Sequence, residues 1–318
     1  MNYIQKNNPR KSFSSNIMYI PNKSVIPCIK LSEELTYDPW EMTGHEYAVI
    51  KIQDLITSDG RRTNSIFDEI SNKGGLHDFF QFKGKFIISS IAPDKMVFGL
   101  SIDKYQEIIE TLGAEWYFTP DCETYCRDEY DLQVGDKEIR RVIEDTNVLI
   151  DNLKSTPIGL VKGSNYEQLL CHAFSLKKFG IKVFSFHSGE YLLKSNRYLL
   201  GTGIRLFFKL RENVPYLMAY GIGSRSSIKK FHSADCFITQ SHYTRAFKGN
   251  RYENGRTFNL SNHEKISKSL IMNNLSDICS TALSYGLDQT KLSEWFILHN
   301  TEEIFEISDD DILNLGAS

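Results

Sequence analysis

The chain has 318 residues, of which 41% are hydrophobic and 24% are charged, a balance typical of a globular protein. This composition excludes a fibrous or low-complexity protein, and no apolar run reaches the roughly 18 residues that a membrane-spanning helix needs. The polar amino terminus predicts no secretory signal peptide, and the six scattered cysteines predict reduced thiols. We therefore expect a cytoplasmic protein.

The net charge of −3 conceals a basic central block. Residues 151–260 carry 17 Lys and Arg against 6 Asp and Glu, a net charge of +11, whereas residues 1–150 and 261–318 each carry a net charge of −7. Such a block can bind a polyanion through its phosphates, although charge bias alone more often marks a solvated basic face. Aromatic residues lie among these cations and favour nucleic acid: Phe207, Phe208, Tyr243, Phe247 and Tyr252.

Short apolar runs alternate with helical patterns along most of the chain. Residues 1–40, which contain Pro21, Pro27 and Pro39, predict short extended pieces that lead into the domain. The predicted strands are 47–52, 86–91, 96–100, 115–118, 157–161, 181–186, 216–220 and 235–238. The predicted helices between them are 65–71, 103–112, 136–153, 166–179 and 226–232, with Gly113 and Gly180 as carboxyl-terminal stops.

This alternation predicts βαβ units and a parallel sheet. Six or more such strands in one chain suit a closed (β/α)8 TIM barrel better than a nucleotide-binding half-sheet, and the sequence has no GxGxxG or GxxxxGK[ST] motif. We therefore predict an α/β barrel over residues 1–260. Residues 261–318 predict a helical appendage with helices at 264–273, 275–285 and 290–306 and an acidic end.

Polar residues and glycines recur where the predicted strands end, which is the end of a barrel that carries chemistry. They are Ser89, Ser90, Asp121, Lys162, Gly163, His187, Gly189 and Gly221. One further carboxylate, Asp235, lies between two apolar runs near the start of the last predicted strand. From the residues alone, Asp235 is either an ion-paired structural group or a working carboxylate.

Four segments in order resemble the tRNA-guanine transglycosylase family. They are SIDKYQEIIETLGAEWYFTPDCETY at 101–125, IGLVKG at 158–163, YLMAYGIGS at 216–224 and ADCF at 234–237. Members of that family are (β/α)8 barrels that exchange a guanine in nucleic acid for a 7-deazaguanine base. The resemblance covers roughly residues 85–300. It implies that Asp235 is the covalent nucleophile and that Asp121 grips the incoming base.

The chain also departs from the family pattern. The strand end that carries an Asp in the family has Ser89 here, with Asp94 nearby, and Lys162 replaces a Gln. Two alignments are open for the nucleophile: one places it at Asp235, and a stricter one places it at Ile238, which leaves no carboxylate. We prefer the first. The family's cysteine-rich zinc cluster is reduced to Cys279 and His299, two of the four ligands of a closed zinc site, and the resemblance implies a structural zinc ion that these two residues help to bind.

These departures make the chain most similar to the DNA-guanine transglycosylases, which insert a 7-deazaguanine such as preQ0 into DNA in bacterial or phage-infected cytoplasm. The resemblance implies base contacts from Ser89, Ser90, Lys162, Gly163, Gly189 and Gly221, and proton transfer by His187. Because the reacting sugar must leave the duplex, cations beyond the last strands are expected to hold the DNA backbone. They are Arg225, Lys229, Lys230, Arg245, Lys248 and Arg251.

Three other functions remain open at this point. The chain could act on tRNA instead of DNA, or it could be an unrelated barrel enzyme. It could also be a non-catalytic subunit that binds nucleic acid or a catalytic partner, because the Asp of the family's strand end is missing. We expect no membrane association, and we expect a homodimer or partner proteins of a DNA-modification system.

Overall fold

Eight parallel strands form a closed barrel in a computed structural model, which describes residues 24–31, 45–124, 129–192, 197–248, 250–253, 256–259 and 268–287. Each strand pairs with the next in chain order, and β1 closes the barrel on β8, with Ser24 opposite Cys236 and Pro27 opposite Thr239. The strands are β1 (Ser24–Ile29), β2 (Tyr47–Lys51), β3 (Lys85–Ser89), β4 (Trp116–Phe118), β5 (Thr156–Val161), β6 (Val183–Phe186), β7 (Tyr216–Tyr220) and β8 (Cys236–Thr239). The predicted (β/α)8 barrel is confirmed.

The helices begin and end where the sequence supplies caps. The Ser101 hydroxyl accepts a hydrogen bond from the Lys104 amide at 3.2 Å, and Gly113 ends the same helix with a φ of 69°. The helices are α1 (Ser65–Asn72), α2 (Leu76–Phe80), α3 (Asp94–Gly99), α4 (Ile102–Leu112), α5 (Glu129–Asn152), α6 (Tyr166–Lys178), α7 (Ser188–Leu192), α8 (Arg197–Arg211), α9 (Arg225–Lys230), α10 (Ser241–Phe247) and α11 (Lys268–Leu287). An antiparallel hairpin, β9 (Asn250–Glu253) with β10 (Arg256–Asn259), follows α10.

Consecutive strand residues point alternately into the barrel and outward toward the helices. Val49 and Ile238 belong to the inner apolar cluster, whereas Ile50 and Phe237 belong to the outer one. The same alternation continues to the carboxyl ends of the strands, which we call the barrel mouth. It assigns the mouth's inward positions to particular side chains: Lys30, Lys51, Ser89, Lys162, His187, Tyr220 and Gln240.

Two predictions about local structure are wrong. Residues 96–100 are not a strand: α3 occupies this segment after Pro93, because a short apolar run fits a helix as well as a strand. The piece around Pro27 is not a lead-in segment but the barrel strand β1. Proline normally argues against a central strand, which is why the sequence did not predict β1.

The carboxyl-terminal region packs on the barrel as far as it is described. Residues of α11, among them Leu275 and Ile278, join the outer core, and this helix contacts β1, α9, α10 and β9. The single helix α11 takes the place of the two helices predicted at 264–273 and 275–285. The predicted boundary at 260 and the helix at 290–306 lie outside the described residues. Among the described residues, no helix is long and apolar enough to cross a membrane.

Candidate ligand-binding site at the barrel mouth

A buried ion pair joins the carboxyl ends of β4 and β5. The Lys162 ammonium lies 3.5 Å from Asp121 Oδ1, and the two side chains are only 10% and 7% exposed. Asp121 follows β4 after Thr119 and Pro120, and its Oδ1 also accepts the Cys122 amide at 2.8 Å. The structure therefore brings together two residues that the sequence placed on separate strand ends.

Packing beneath β5 fixes the backbone of Lys162. The buried His172 ring on α6 places Nδ1 3.2 Å from both the amide nitrogen and the carbonyl oxygen of Lys162. Burial lowers the pKa of His172 to about 4, so the ring is neutral near pH 7. Gly163 follows, and a Cβ there would lie 2.5 Å from the Leu169 amide nitrogen, so this glycine permits close packing of the loop on α6.

His187 stands at the mouth as a neutral imidazole. Burial lowers its pKa, and together with the nearby Lys162 and Lys51 ammonium groups brings it to about 3. Its ring packs edge-on against Tyr220, with centroids 5.5 Å apart. The Tyr220 hydroxyl lies 3.4 Å from Cys28 Sγ, and burial raises the pKa of both groups, so neither is ionised near pH 7.

Three ionic groups at the mouth were not predicted from the sequence. The Lys30 ammonium bonds Asp54 Oδ1 at 2.8 Å, and the Asp54 side chain is 4% exposed. Its other oxygen, Oδ2, is buried without a hydrogen-bond partner among the described residues. The Lys51 ammonium at the end of β2 donates to Gln240 Oε1 at 2.5 Å. Their signal in the sequence was a Lys at the inward position of each strand end, followed by Asp54 just after β2.

The serines and glycines at the mouth mostly hold the backbone. Ser90 Oγ donates to the Thr119 carbonyl at 2.7 Å, and Ser89 Oγ accepts the Ile91 amide at 3.3 Å. Gly189 and Gly221 pass so close that a Cβ on Gly221 would lie 2.7 Å from Gly189 Cα. These contacts tie the strand ends together. Of the four residues, only Ser89 also points into the barrel.

A narrow cleft opens beside Asp121, between the ends of β3 and β4 and the helix α5. Arg141 and Asp145 of α5 face each other across 3.0 Å at its edge. Burial raises the pKa of Asp145, and Arg141 opposes this shift. The cleft is lined by Ser90, Val97, Leu100, Ser101, Ile102, Tyr105, Pro120, Asp121, Arg141 and Asp145.

Asp235 does not lie at the mouth, where the nucleophile that the resemblance implies would act. It precedes the first residue of β8, so it sits at the amino end of the barrel, about 13 Å of strand away from the carboxyl end. There its Oδ2 accepts the Leu217 amide at 2.7 Å and its Oδ1 accepts Arg211 Nη2 at 3.1 Å. Ile238, the position that the stricter alignment marks, lies within β8, fully buried, on the inward face.

Most of the predicted phosphate contacts lie on elements that pack around α11. Arg225 opens α9, and Lys229 and Lys230 end it. Arg245 lies on α10, which directly follows the mouth end of β8, and Lys248 and Arg251 come next along the chain. We call these six side chains the basic face. Arg225, Lys248 and Arg251 are exposed, and the other three are half-buried.

The zinc prediction gains no support from the described residues. Cys279 is half-buried on α11, and burial raises the pKa of its thiol to about 11. The other predicted ligand, His299, lies outside the described residues. No group of three or more metal-binding side chains occurs among the residues that the structure describes. Asp94, the suggested substitute for the missing family Asp, begins α3 and is exposed.

Fold and site together define a closed (β/α)8 barrel with a charged mouth that holds one buried and one partly buried ion pair. In comparisons with known proteins, no family model matches the chain, and no curated protein matches it significantly.

Proposed function

We propose that the barrel mouth binds a guanine-type base presented by nucleic acid, as in a guanine transglycosylase of DNA. The observation that carries the proposal is the buried Asp121–Lys162 pair. A carboxylate accepts hydrogen bonds from the N1–H and the exocyclic amine of guanine, and a neighbouring ammonium donates to O6. The pair thus complements the Watson–Crick edge, which proteins that extrude a base from the stack read. A 7-deazaguanine such as preQ0 presents the same edge.

The basic face supports a nucleic-acid ligand. Arg245 and Lys248 lie on or just after α10, which starts immediately after the mouth end of β8. Cations next to a base-binding mouth suit a strand whose phosphates run past it while one base enters. Phe247, which is 52% exposed on α10, supplies an aromatic surface among these cations on which a neighbouring base can stack.

The first candidate role is a base-binding subunit without its own nucleophile. Base exchange through a covalent intermediate needs a carboxylate at the anomeric carbon. Asp235 is bonded to Arg211 at the opposite end of the barrel, and β8 carries Ile238 on its inward face. This arrangement favours the partner-subunit reading of the family resemblance.

The second candidate role is a DNA-guanine transglycosylase that uses Asp54. Its buried Oδ2 has no hydrogen-bond partner among the described residues, and its charge helps to raise the pKa values of Cys28 and Tyr220 at the mouth. In this candidate, Asp54 attacks the anomeric carbon while the bond to guanine breaks and the leaving base gains a proton. The incoming 7-deazaguanine then displaces the carboxylate and loses its own proton.

One labelling experiment separates these roles. The protein is incubated with guanine-containing DNA or tRNA and radiolabelled preQ0, beside the Asp54→Asn and Asp235→Asn variants. The first role predicts binding without incorporation of label. The second predicts label in DNA that Asp54→Asn abolishes and Asp235→Asn leaves intact. Label only in tRNA would move the substrate to RNA, and absence of both binding and label would refute the proposal.

A further inference from the structure

The charge of Lys51 lacks a carboxylate partner among the described residues. Its ammonium donates to Gln240 Oε1, a neutral amide, at 2.5 Å. The other two lysines of the mouth differ, because Lys30 bonds Asp54 and Lys162 lies against Asp121. These five ionic groups sum to one positive charge, and Lys51 is the cation without a counter-charge.

Lys51 shares the barrel mouth with polar residues that carry no charge, in addition to the Lys162 ammonium and the Lys30–Asp54 pair. His187 is held neutral by burial and by the two ammonium groups of Lys51 and Lys162, and burial keeps Tyr220 protonated. One inward position below His187 on β6, the Ser185 hydroxyl is fully buried and has no hydrogen-bond partner among the described residues. An anionic ligand gains the most binding free energy where a half-buried ammonium lies beside neutral hydrogen-bond donors.

The distance across the mouth fits one nucleotide. An eight-stranded barrel with ordinary strand spacing and tilt places the backbones of β2 and β5 about 14 Å apart. Lys51 and Lys162 occupy inward positions on these two strands, and both ammonium groups lie close enough to His187 to lower its pKa. A single nucleotide fits within a mouth of this width.

We propose that Lys51, His187 and Gln240 form an anion subsite that takes the phosphate of a guanine nucleotide whose base lies against Asp121 and Lys162. The ligand of the mouth is then a nucleotide rather than a free base. This inference rests on the proposed function. Two sources share the same chemistry, a free mononucleotide and a nucleotide within a strand, and the experiment distinguishes them.

Calorimetric titrations measure the subsite directly. Deoxyguanosine, deoxyguanosine monophosphate, inorganic phosphate and a short single-stranded oligonucleotide with one guanine are each titrated into the full chain. We expect the monophosphate to bind at least about tenfold more tightly than the nucleoside, as a charge-assisted contact implies. This preference should vanish in Lys51→Met and persist in Lys182→Met, a control whose lysine is exposed before the amino end of β6.

A second variant protects the test against misfolding. Gln240→Glu places a carboxylate beside the Lys51 ammonium and neutralises it, and the Gln240 side chain makes no capping bond to α10 that would be lost. We expect this variant to lose the preference for the monophosphate over the nucleoside. If the natural ligand is a nucleotide within a strand, Lys51→Met should weaken binding of the oligonucleotide as much as binding of the monophosphate. If the natural ligand is a free mononucleotide, Lys51→Met should weaken binding of the monophosphate alone.

The titrations distinguish a failure of the anion subsite from a failure of base recognition. If deoxyguanosine binds but the monophosphate binds no better, or if Lys51→Met keeps the preference, the anion subsite is refuted and base recognition stands. If phosphate and the monophosphate bind in a Lys51-dependent manner while the nucleoside does not bind and Asp121→Asn has no effect, the subsite stands and base recognition is refuted.

Discussion

Asp235 and Arg211 form an ion pair of 3.1 Å at the amino end of β8, on the face of the barrel opposite the mouth. Asp235 also accepts the Leu217 amide through its other oxygen, so one carboxylate links α8, β7 and β8. The residue that the family resemblance marked as a nucleophile is therefore a structural link.

We expect Asp235→Asn to destabilise the fold without changing base binding. The Asp235 side chain is 13% exposed and Arg211 is 31% exposed, so the loss should be about 1–3 kcal/mol, below that of a fully buried pair. Urea unfolding measures the free energy, with Glu212→Gln as an exposed control on the same chain segment. A variant that is as stable as the wild type but does not bind guanosine would show that Asp235 takes part in ligand binding.

Acid should destabilise the protein through buried histidines. The folded pKa of His172 is about 4, below its ordinary value of 6.5, because burial disfavours the charged ring. Below pH 6.5 His172 binds a proton in the unfolded chain, whereas in the folded chain it binds that proton only near pH 4. Stability should therefore fall by about 1.4 kcal/mol per pH unit for this residue across that window.

The His172→Gln variant isolates that contribution. We expect the free energy of unfolding to fall less steeply between pH 6.5 and 4.5 in the variant than in the wild type, by about 1.4 kcal/mol per pH unit. Urea titrations at several pH values measure the difference. Equal slopes would show that His172 is protonated in the folded state.

Gly221 should tolerate no side chain. Its φ is +86°, and an added Cβ would lie 2.7 Å from Gly189 Cα. We expect Gly221→Ala to cost at least about 1–3 kcal/mol, from backbone strain and the displaced strand end. Gly201→Ala is the matched control, because Gly201 lies in α8 with no atom within 4 Å of the added Cβ. This variant should raise the free energy of unfolding by about 0.5–1 kcal/mol. Thermal or urea unfolding ranks the two variants, and equal stability would contradict the close approach.

Removal of cations from the basic face should weaken binding of single-stranded DNA. Each of Arg245→Gln, Lys248→Gln and Arg251→Gln should reduce affinity for strands of any sequence, and each lost phosphate contact should reduce the salt slope of log affinity by about 0.7. Lys73→Gln, on an exposed lysine at the end of α1, serves as control. Fluorescence anisotropy over a salt series provides the measurement. Unchanged slopes in all three variants would remove the basic face from the binding surface.

The fold and the candidate site were predicted from hydrophobic periodicity and from the residues at the strand ends. Particular residues show where this prediction succeeded and where it failed. Lys162 and His187 were found because each follows an unambiguous apolar strand, and the barrel then brings them together. Asp235 was predicted at the start of the last strand, where the structure has it, but the family resemblance gave it a role that belongs to the opposite, carboxyl end of the barrel. Asp54 and Lys30 were missed because their pairing joins two strand ends that are 24 residues apart in sequence.

The most direct test of the central claim is whether Asp121 reads the guanine edge. Oligonucleotides with a single deoxyguanosine or deoxyinosine, which lacks the exocyclic amine, are titrated into the wild type, Asp121→Asn and the exposed control Asp68→Asn. We expect the wild type and the control to prefer deoxyguanosine by about 10- to 100-fold, as the loss of a hydrogen bond to a charged group implies, and Asp121→Asn to lose the preference. A wild type that binds both strands equally, or an Asp121→Asn variant that keeps the preference, would contradict base recognition at the barrel mouth.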